Sequence, residues 1–150
     1  MPIVFIMGPA CSGKSTYIKN HFDGYTVIDL FDFQKNCWNF ESIAKSYEDC
    51  KEALINAIKE NKDVVMEHTL LRAIRRAPYI EAVRELTDSP IDIICMNPSE
   101  DLLNYRKGLR GVKGNAKEEL KVLEIPSKEE GFRKVLVINE KLNEDNHMSH

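Results

Sequence analysis

The sequence predicts a three-layer α/β/α domain built on a five-stranded parallel sheet with a small lid. Three observations predict it. Strand-like and helix-like segments alternate five times along the 150 residues. The strand-like segments are short apolar runs, as strands buried on both faces require. The first run, Ile3 to Met7, breaks into the glycine-punctuated turn Gly8-Pro9-Ala10-Cys11-Ser12-Gly13-Lys14-Ser15-Thr16 and then into a helix.

A chain of this length reads as one domain, 1–150, with a core large enough to need neither disulfides nor metal. Its hydrophobic content of 43% and charged content of 30% fit a soluble globular protein. No apolar run approaches the roughly 20 residues that cross a bilayer, and no export signal precedes the first strand. Cys11, Cys37, Cys50 and Cys95 lack C-x-x-C spacing and read as free thiols in a reducing cytoplasm. A net charge of −3 argues against tight, non-specific binding of long nucleic acid, and leaves room for a local basic groove.

The elements follow in order. A helix leaves the glycine turn and runs through Phe22, with Gly24 as its stop. Tyr25 to Ile28 is a short β-rich run closed by Asp29. Leu30 to Asn39 is aromatic and irregular; with Phe40, its Phe31, Phe33 and Trp38 are expected to pack as core beneath a loop, the alternative being an aromatic wall beside a substrate. Ile43, Tyr47, Cys50, Leu54 and Ile58 form one stripe of a helix from about Glu41 to Glu60. Asp63 to Glu67 is the third strand. Pro78 suits the first turn of a helix running to about Leu86, or a kink in a longer one. Pro90 to Met96 is the fourth strand. Asn97-Pro98-Ser99-Glu100 reads as a helix start, with Asn97 as cap and Pro98 in the first helical position. Residues 108–114 are rich in glycine and cations and fall within a lid spanning about 106–125. Glu118 to Val122 is a short helix, Pro126 to Gly131 a turn, and Lys134 to Ile138 the last strand. Residues 143–150 are a polar tail.

The turn after the first strand carries chemistry. Gly-x-x-x-x-Gly-Lys-Ser between a strand and a helix is a phosphate-binding loop. Backbone N–H groups of the stretch Gly8 to Thr16, Pro9 excepted, converge on phosphate oxygens at a helix N-terminus. Lys14 supplies a cation for the β- and γ-phosphates, and Ser15 a hydroxyl for Mg²⁺. Three further features point to phosphoryl transfer onto a hydroxyl. Asp29 and Asp32 follow the second strand, where a carboxylate can take the acceptor's proton; Asp32 is the expected base, and Asp29 the one to cap a turn or hold a water on Mg²⁺. Arg72, Arg75 and Arg76 are either a phosphate-reading face or a solvated helix face. Arg106 and Arg110, four apart, are expected on a flap that closes over the triphosphate.

With these residues assembled, the chain resembles the small phosphate-loop kinases, AAA-family ATPases and kinases, and among them the kinase domain of 5′-hydroxyl polynucleotide kinases. Gly8 to Thr16 match that family's loop. Asp32-Phe33-Gln34-Lys35 resembles its Asp-x-x-Arg. Val65-Met66-Glu67-His68-Thr69-Leu70 resembles its hydrophobic-Asp-Thr-Asn-Leu segment. Arg106 and Arg110 match its lid pair, and Pro126-Ser127-Lys128-Glu129-Glu130-Gly131-Phe132 its closing segment. The resemblance covers residues 2 to 139. It implies ATP and Mg²⁺ as cofactors and Asp32 as general base. It also implies Lys14, Arg106 and Arg110 on phosphates, and Lys35, Glu67, Arg72, Arg75 and Arg76 toward the acceptor. Lys35 and Glu67-His68-Thr69 depart from the family pattern where an acceptor would be recognised. The expectation is therefore a cytoplasmic ATP-dependent kinase of a hydroxyl acceptor, with a nucleic-acid 5′ end as one candidate. The alternatives are a nucleoside, nucleotide, sugar or antibiotic kinase, and a nucleotide-binding regulatory module without transfer activity.

Overall fold

The computed structural model describes residues 1–143. Five strands, β1 (Ile3–Met7), β2 (Thr26–Asp29), β3 (Val64–His68), β4 (Ile91–Pro98) and β5 (Lys134–Glu140), form one sheet in the order β2-β3-β1-β4-β5, and every pairing is parallel. Helices α1 (Lys14–His21), α2 (Leu30–Gln34), α3 (Phe40–Lys59), α4 (Ala73–Arg84), α5 (Glu100–Arg110) and α6 (Ala116–Val122) join them, with a 3-10 turn at Lys128–Glu130.

Side chains alternate across a strand, so β1 feeds two cores. Ile3, Phe5 and Met7 join Met66, Leu54, Tyr79 and Val83 on the face covered by α3 and α4. Val4 and Ile6 join Ile18, Val65, Ile94 and Met96 on the face covered by α1. This explains why β1 and β3 are buried at all five positions each. The pairing of Met7 with His68 and of Asp29 with Glu67 brings the ends of β1, β2 and β3 into one line. The chain leaves β1 toward β2 and leaves β3 toward β4, so the β1/β3 boundary is where connections diverge to opposite sides. Open parallel sheets bind ligands at such a point, beyond the strands' carboxyl ends.

Several elements depart from the sequence reading. Leu30–Gln34 is helical, because Asp29 caps it: the carboxylate accepts from Phe31 N at 2.9 Å. The aromatics after it are not core. Phe31, Trp38 and Phe40 are 65%, 83% and 91% exposed, and of the four only Phe33 packs against buried residues. Pro78 is the sixth residue of α4, so the longer helix forms; Arg72 opens it, and Arg75 N and Arg76 N bond back to Arg72 O. The fifth helix starts later than expected. Pro98 still belongs to β4, and Ser99 is the cap, its Oγ accepting from Leu102 N. Ser99 N also donates to Glu140 O, a backbone bond that tertiary pairing supplies. Among the described residues no helix is long and apolar enough to cross a membrane. Residues 144–150 of the polar tail lie outside the described residues.

Candidate active site

The phosphate loop is built from backbone constraints. Gly8 has φ +154° and Gly13 φ +98°. A Cβ on Gly8 would lie 2.6 Å from Ser12 Oγ and 2.9 Å from Met96 O, so only glycine lets the loop curl back on itself there. Gly8 N donates to Thr69 O, which ties the loop to the segment after β3. Cys11 takes φ +66° within the same loop. Gly13 then caps α1 without a side chain, so the helix's first-turn N–H groups face the loop's concavity.

Inside that concavity Lys14 is buried, its Nζ donating to Gly8 O at 2.7 Å and Pro9 O at 2.9 Å. Burial drives its pKa down to about 8, against the opposing pull of the Glu67 and Asp29 carboxylates. Ser15 Oγ donates to Glu67, with both carboxylate oxygens at 3.0 Å. Burial raises the Glu67 pKa, and the neighbouring Asp29 charge adds to it; the Ser15 bond opposes both. Burial likewise raises Asp29, with the Phe31 backbone bond opposing. One cation and two carboxylates therefore share one partly buried pocket, where each charge is worth more than in bulk water.

Residues Ala10 to Thr16 line a cavity of about 350 Å³ together with Asp29, Phe31, Gln34, Glu67, His68, Thr69, Arg110 and Val112. His68 and Thr69 are shared with a second cavity, of about 460 Å³. Its walls include Tyr47, Leu70, Ile74, Pro78 and Tyr79, with Lys51, Arg72 and Arg75 as cations.

The expected site residues divide by position. Lys14, Ser15, Asp29, Glu67 and Arg110 meet around the first cavity. Asp32 does not line it: the carboxylate pairs with Lys35 Nζ at 3.3 Å, and both side chains are about 60% exposed. One helical turn carries Asp32 away, because α2 begins directly after Asp29. Arg106 is buried behind the loop rather than over it. Its Nη1 donates to Ser12 O and its Nη2 to Glu140, each at 3.2 Å. Of the three clustered arginines, Arg76 is turned into the core. It is fully buried, forked on Glu130 at 2.7 and 3.1 Å, and donates to Leu70 O. Arg72 pairs with Glu124 near the surface, and Arg75 makes no ion pair among the described residues. Within the expected lid, 106–125, Lys107 is buried against Glu119 in the middle of α6 at 2.7 Å, and Glu124 N, just past α6, donates to Leu71 O.

Two features escaped the sequence reading. Glu67 sits on the Ser15 hydroxyl, a partnership 52 residues apart. His68 joins the two cavities. The sequence signals for the two residues were their position at the end of a buried strand and their place in the segment that resembles the family's Asp-Thr-Asn; neither points to Ser15 or to the seam of two cavities.

The geometry agrees with the comparisons. The model of the AAA domain family matches residues 3–132, and the chain belongs to that family. Within it the fold is that of a phosphate-loop kinase. A putative kinase from Chloroflexus aurantiacus J-10-fl superposes with a TM-score of 0.74 at 14% identity, over 92% of this chain and 84% of that one. A chain of the Pnkp1/Rnl/Hen1 RNA repair complex gives a TM-score of 0.70 at 15% identity, over 81% of this chain and 43% of that one. In sequence, the chain is 27% identical over 143 residues to a bifunctional polynucleotide phosphatase/kinase from Schizosaccharomyces pombe. That match takes in 89% of this chain and spans about a third of the relative's length, 32%.

Proposed function

We propose that this domain is a kinase that moves the γ-phosphate of ATP onto a hydroxyl acceptor. The observation that carries the reading is the convergence of Lys14, Ser15, Glu67 and Asp29 at the mouth of the phosphate loop. The loop amides and Lys14 would hold the β- and γ-phosphates, with Lys14 turning from its loop carbonyls to phosphate oxygens. The Ser15 hydroxyl with the Glu67 carboxylate is a pair of hard oxygen donors, the set Mg²⁺ favours. Bound there, Mg²⁺ would neutralise charge on the phosphates.

Asp29 is the better placed base. It lines the cavity, and burial raises its proton affinity toward the range useful for a base. Asp32 remains the rival that the family resemblance favours. Arg110, on the cavity wall, would meet the phosphates, and Arg106, bonded to Ser12 O, would hold the loop's shape from behind. The acceptor would enter through the second cavity, past Arg72 and Arg75, while the aromatic and aliphatic walls cover its body. A nucleic-acid 5′ end is the acceptor that the fission-yeast relative supports. The apolar lining of the second cavity supports a single-ring small molecule equally well. The four described cysteines are free, which supports a reducing cytoplasm.

The test is transfer from labelled ATP to 5′-hydroxyl oligonucleotides and to pooled nucleosides and sugars. Lys14→Ala should cut transfer at least about a hundredfold. ATP binding with no acceptor-dependent ADP release would leave a regulatory nucleotide-binding module instead.

A further inference from the structure

His68 closes β3 and lies on the wall of both cavities, one residue from the loop's Thr69 anchor. Its ring stacks on Tyr47 with centroids 5.6 Å apart and planes 16° apart. Its Nε2 is 2.8 Å from the Tyr79 hydroxyl. That hydroxyl has a single proton, and it donates this proton to Tyr47 O at 3.2 Å. A backbone carbonyl only accepts, so while Tyr79 spends its proton there its oxygen accepts from His68. In that arrangement Nε2 carries the imidazole hydrogen and Nδ1 is a bare lone pair; in the opposite tautomer Tyr79 donates to Nε2 instead. No donor meets Nδ1 among the described residues, and the side chain is buried.

A buried acceptor atom without a donor is costly, and a strand end at the junction of two cavities is where a ligand can supply one. We propose that His68 is a specificity-determining residue, whose Nδ1 accepts a hydrogen bond from a hydroxyl or N–H of the phosphoryl acceptor seated in the second cavity. The inference rests on the kinase reading and adds the acceptor's required chemistry. The acceptor presents a neutral donor at the seam, close to the hydroxyl that receives phosphate. Anionic oxygens and ethers at that position are rejected, because two lone pairs would face each other. The Tyr79 and Tyr47 contacts hold the ring's tilt, and Nδ1 is covered in this structure, so the acceptor displaces what covers it.

Two substitutions separate this role from simple packing. The amide nitrogen of Gln reaches the Nε2 position, so His68→Gln keeps donation to Tyr79 and loses the Nδ1 lone pair. The amide oxygen of Asn falls near Nδ1, so His68→Asn keeps an acceptor there and loses Tyr79. On ¹⁵N-labelled protein at pH 7, long-range ¹H–¹⁵N spectra should show His68 as the Nε2–H tautomer. A 5′-hydroxyl oligodeoxynucleotide, adenosine and glucose are then added in turn, with a non-hydrolysable ATP analogue present. At least one should move the Nδ1 resonance in the direction of an accepted hydrogen bond. For the probe that moves it, His68→Gln should weaken binding roughly tenfold, and His68→Asn should weaken it less. An Nδ1–H tautomer, an unmoved resonance with all three probes, or greater damage from Asn than from Gln would overturn the assignment. Lys14-dependent transfer that ignores both substitutions would also overturn it while leaving the kinase reading intact. Loss of Lys14-dependent transfer altogether would instead remove the kinase reading.

Discussion

Lys14 carries opposing demands. Its ammonium must meet phosphates, so the fold buries it, and burial without a phosphate is costly. The depression from 10.5 to about 8 corresponds to about 3 kcal/mol. Lys14→Met should therefore abolish transfer and raise the urea midpoint of the nucleotide-free protein. The sign follows from proton counts: the unfolded chain holds the lysine proton between pH 8 and 10.5, where the folded chain has lost it. The gain from Lys14→Met should be full below pH 8 and fade as pH rises to 10.5. Equal midpoints for variant and parent at pH 7 would contradict the burial cost. The two aspartates give a second residue-scale test. Asp29→Asn should depress turnover by about 10²–10⁴-fold, and Asp32→Asn by less than about threefold, given an exposed pair with Lys35. The reverse order would return the base to Asp32. That choice was not legible in the sequence. Both residues follow the second strand, and only the start of α2 directly after Asp29 rotates Asp32 off the cavity.

At the scale of elements, the end of β3 is the acid-sensitive part. His68 is neutral in the folded protein down to about pH 3, while the unfolded chain takes up its proton near pH 6.5. Its folded pKa is lowered, so the unfolded state binds more protons between those values, and stability falls as pH drops from 6.5 toward 3. The full contribution is on the order of 5 kcal/mol. Circular-dichroism melts from pH 7 to pH 4 should show His68→Gln losing less stability than the parent; parallel losses would refute the assignment. The junction of α4 with the 3-10 turn is held by a different device. Arg76 forks onto Glu130 in the core and also holds Leu70 O, so it links three separate stretches of chain. Losing the buried Arg76 fork, while Glu130 stays 17% exposed and held by Ser127 N, should cost about 3 kcal/mol, and denaturant unfolding of Arg76→Ala would measure it. A loss confined to acceptor binding, with stability intact, would restore Arg76 to the acceptor site.

For the whole molecule, the site exists because connections diverge at the β1/β3 boundary and leave the strand ends uncovered. Net charge is −3, so any nucleic-acid acceptor must be held by a local group of cations. Arg75 and Arg72, the latter paired with Glu124, line the second cavity and would be that group. If an oligonucleotide is the acceptor, its affinity should fall steeply with salt, and Arg75→Ala should flatten the slope by roughly one unit. A salt-independent acceptor constant, measured by fluorescence anisotropy with a 5′-hydroxyl oligonucleotide, would point to a small uncharged acceptor.

Fold class and phosphate loop were both written in local sequence. Apolar runs alternating with amphipathic stretches dictate a parallel sheet, and the loop's backbone geometry needs its own glycines and little else. Tertiary structure decided what each charged side chain does. Arg76 was expected on a phosphate-reading or solvated face and Arg106 on a flap over the triphosphate, yet both, like Lys107, are buried against a carboxylate or carbonyl from another segment. Their partners, Glu130, Glu140 and Glu119, lie beyond the reach of any local periodicity. Glu67 on Ser15 and His68 between Tyr47 and Tyr79 arise in the same way, since parallel pairing sets the line of strand ends and helix packing sets what stands over it. Burial then shifts the pKa values of Lys14, Glu67 and His68, and burial is a property of the assembled fold that no stretch of sequence carries alone.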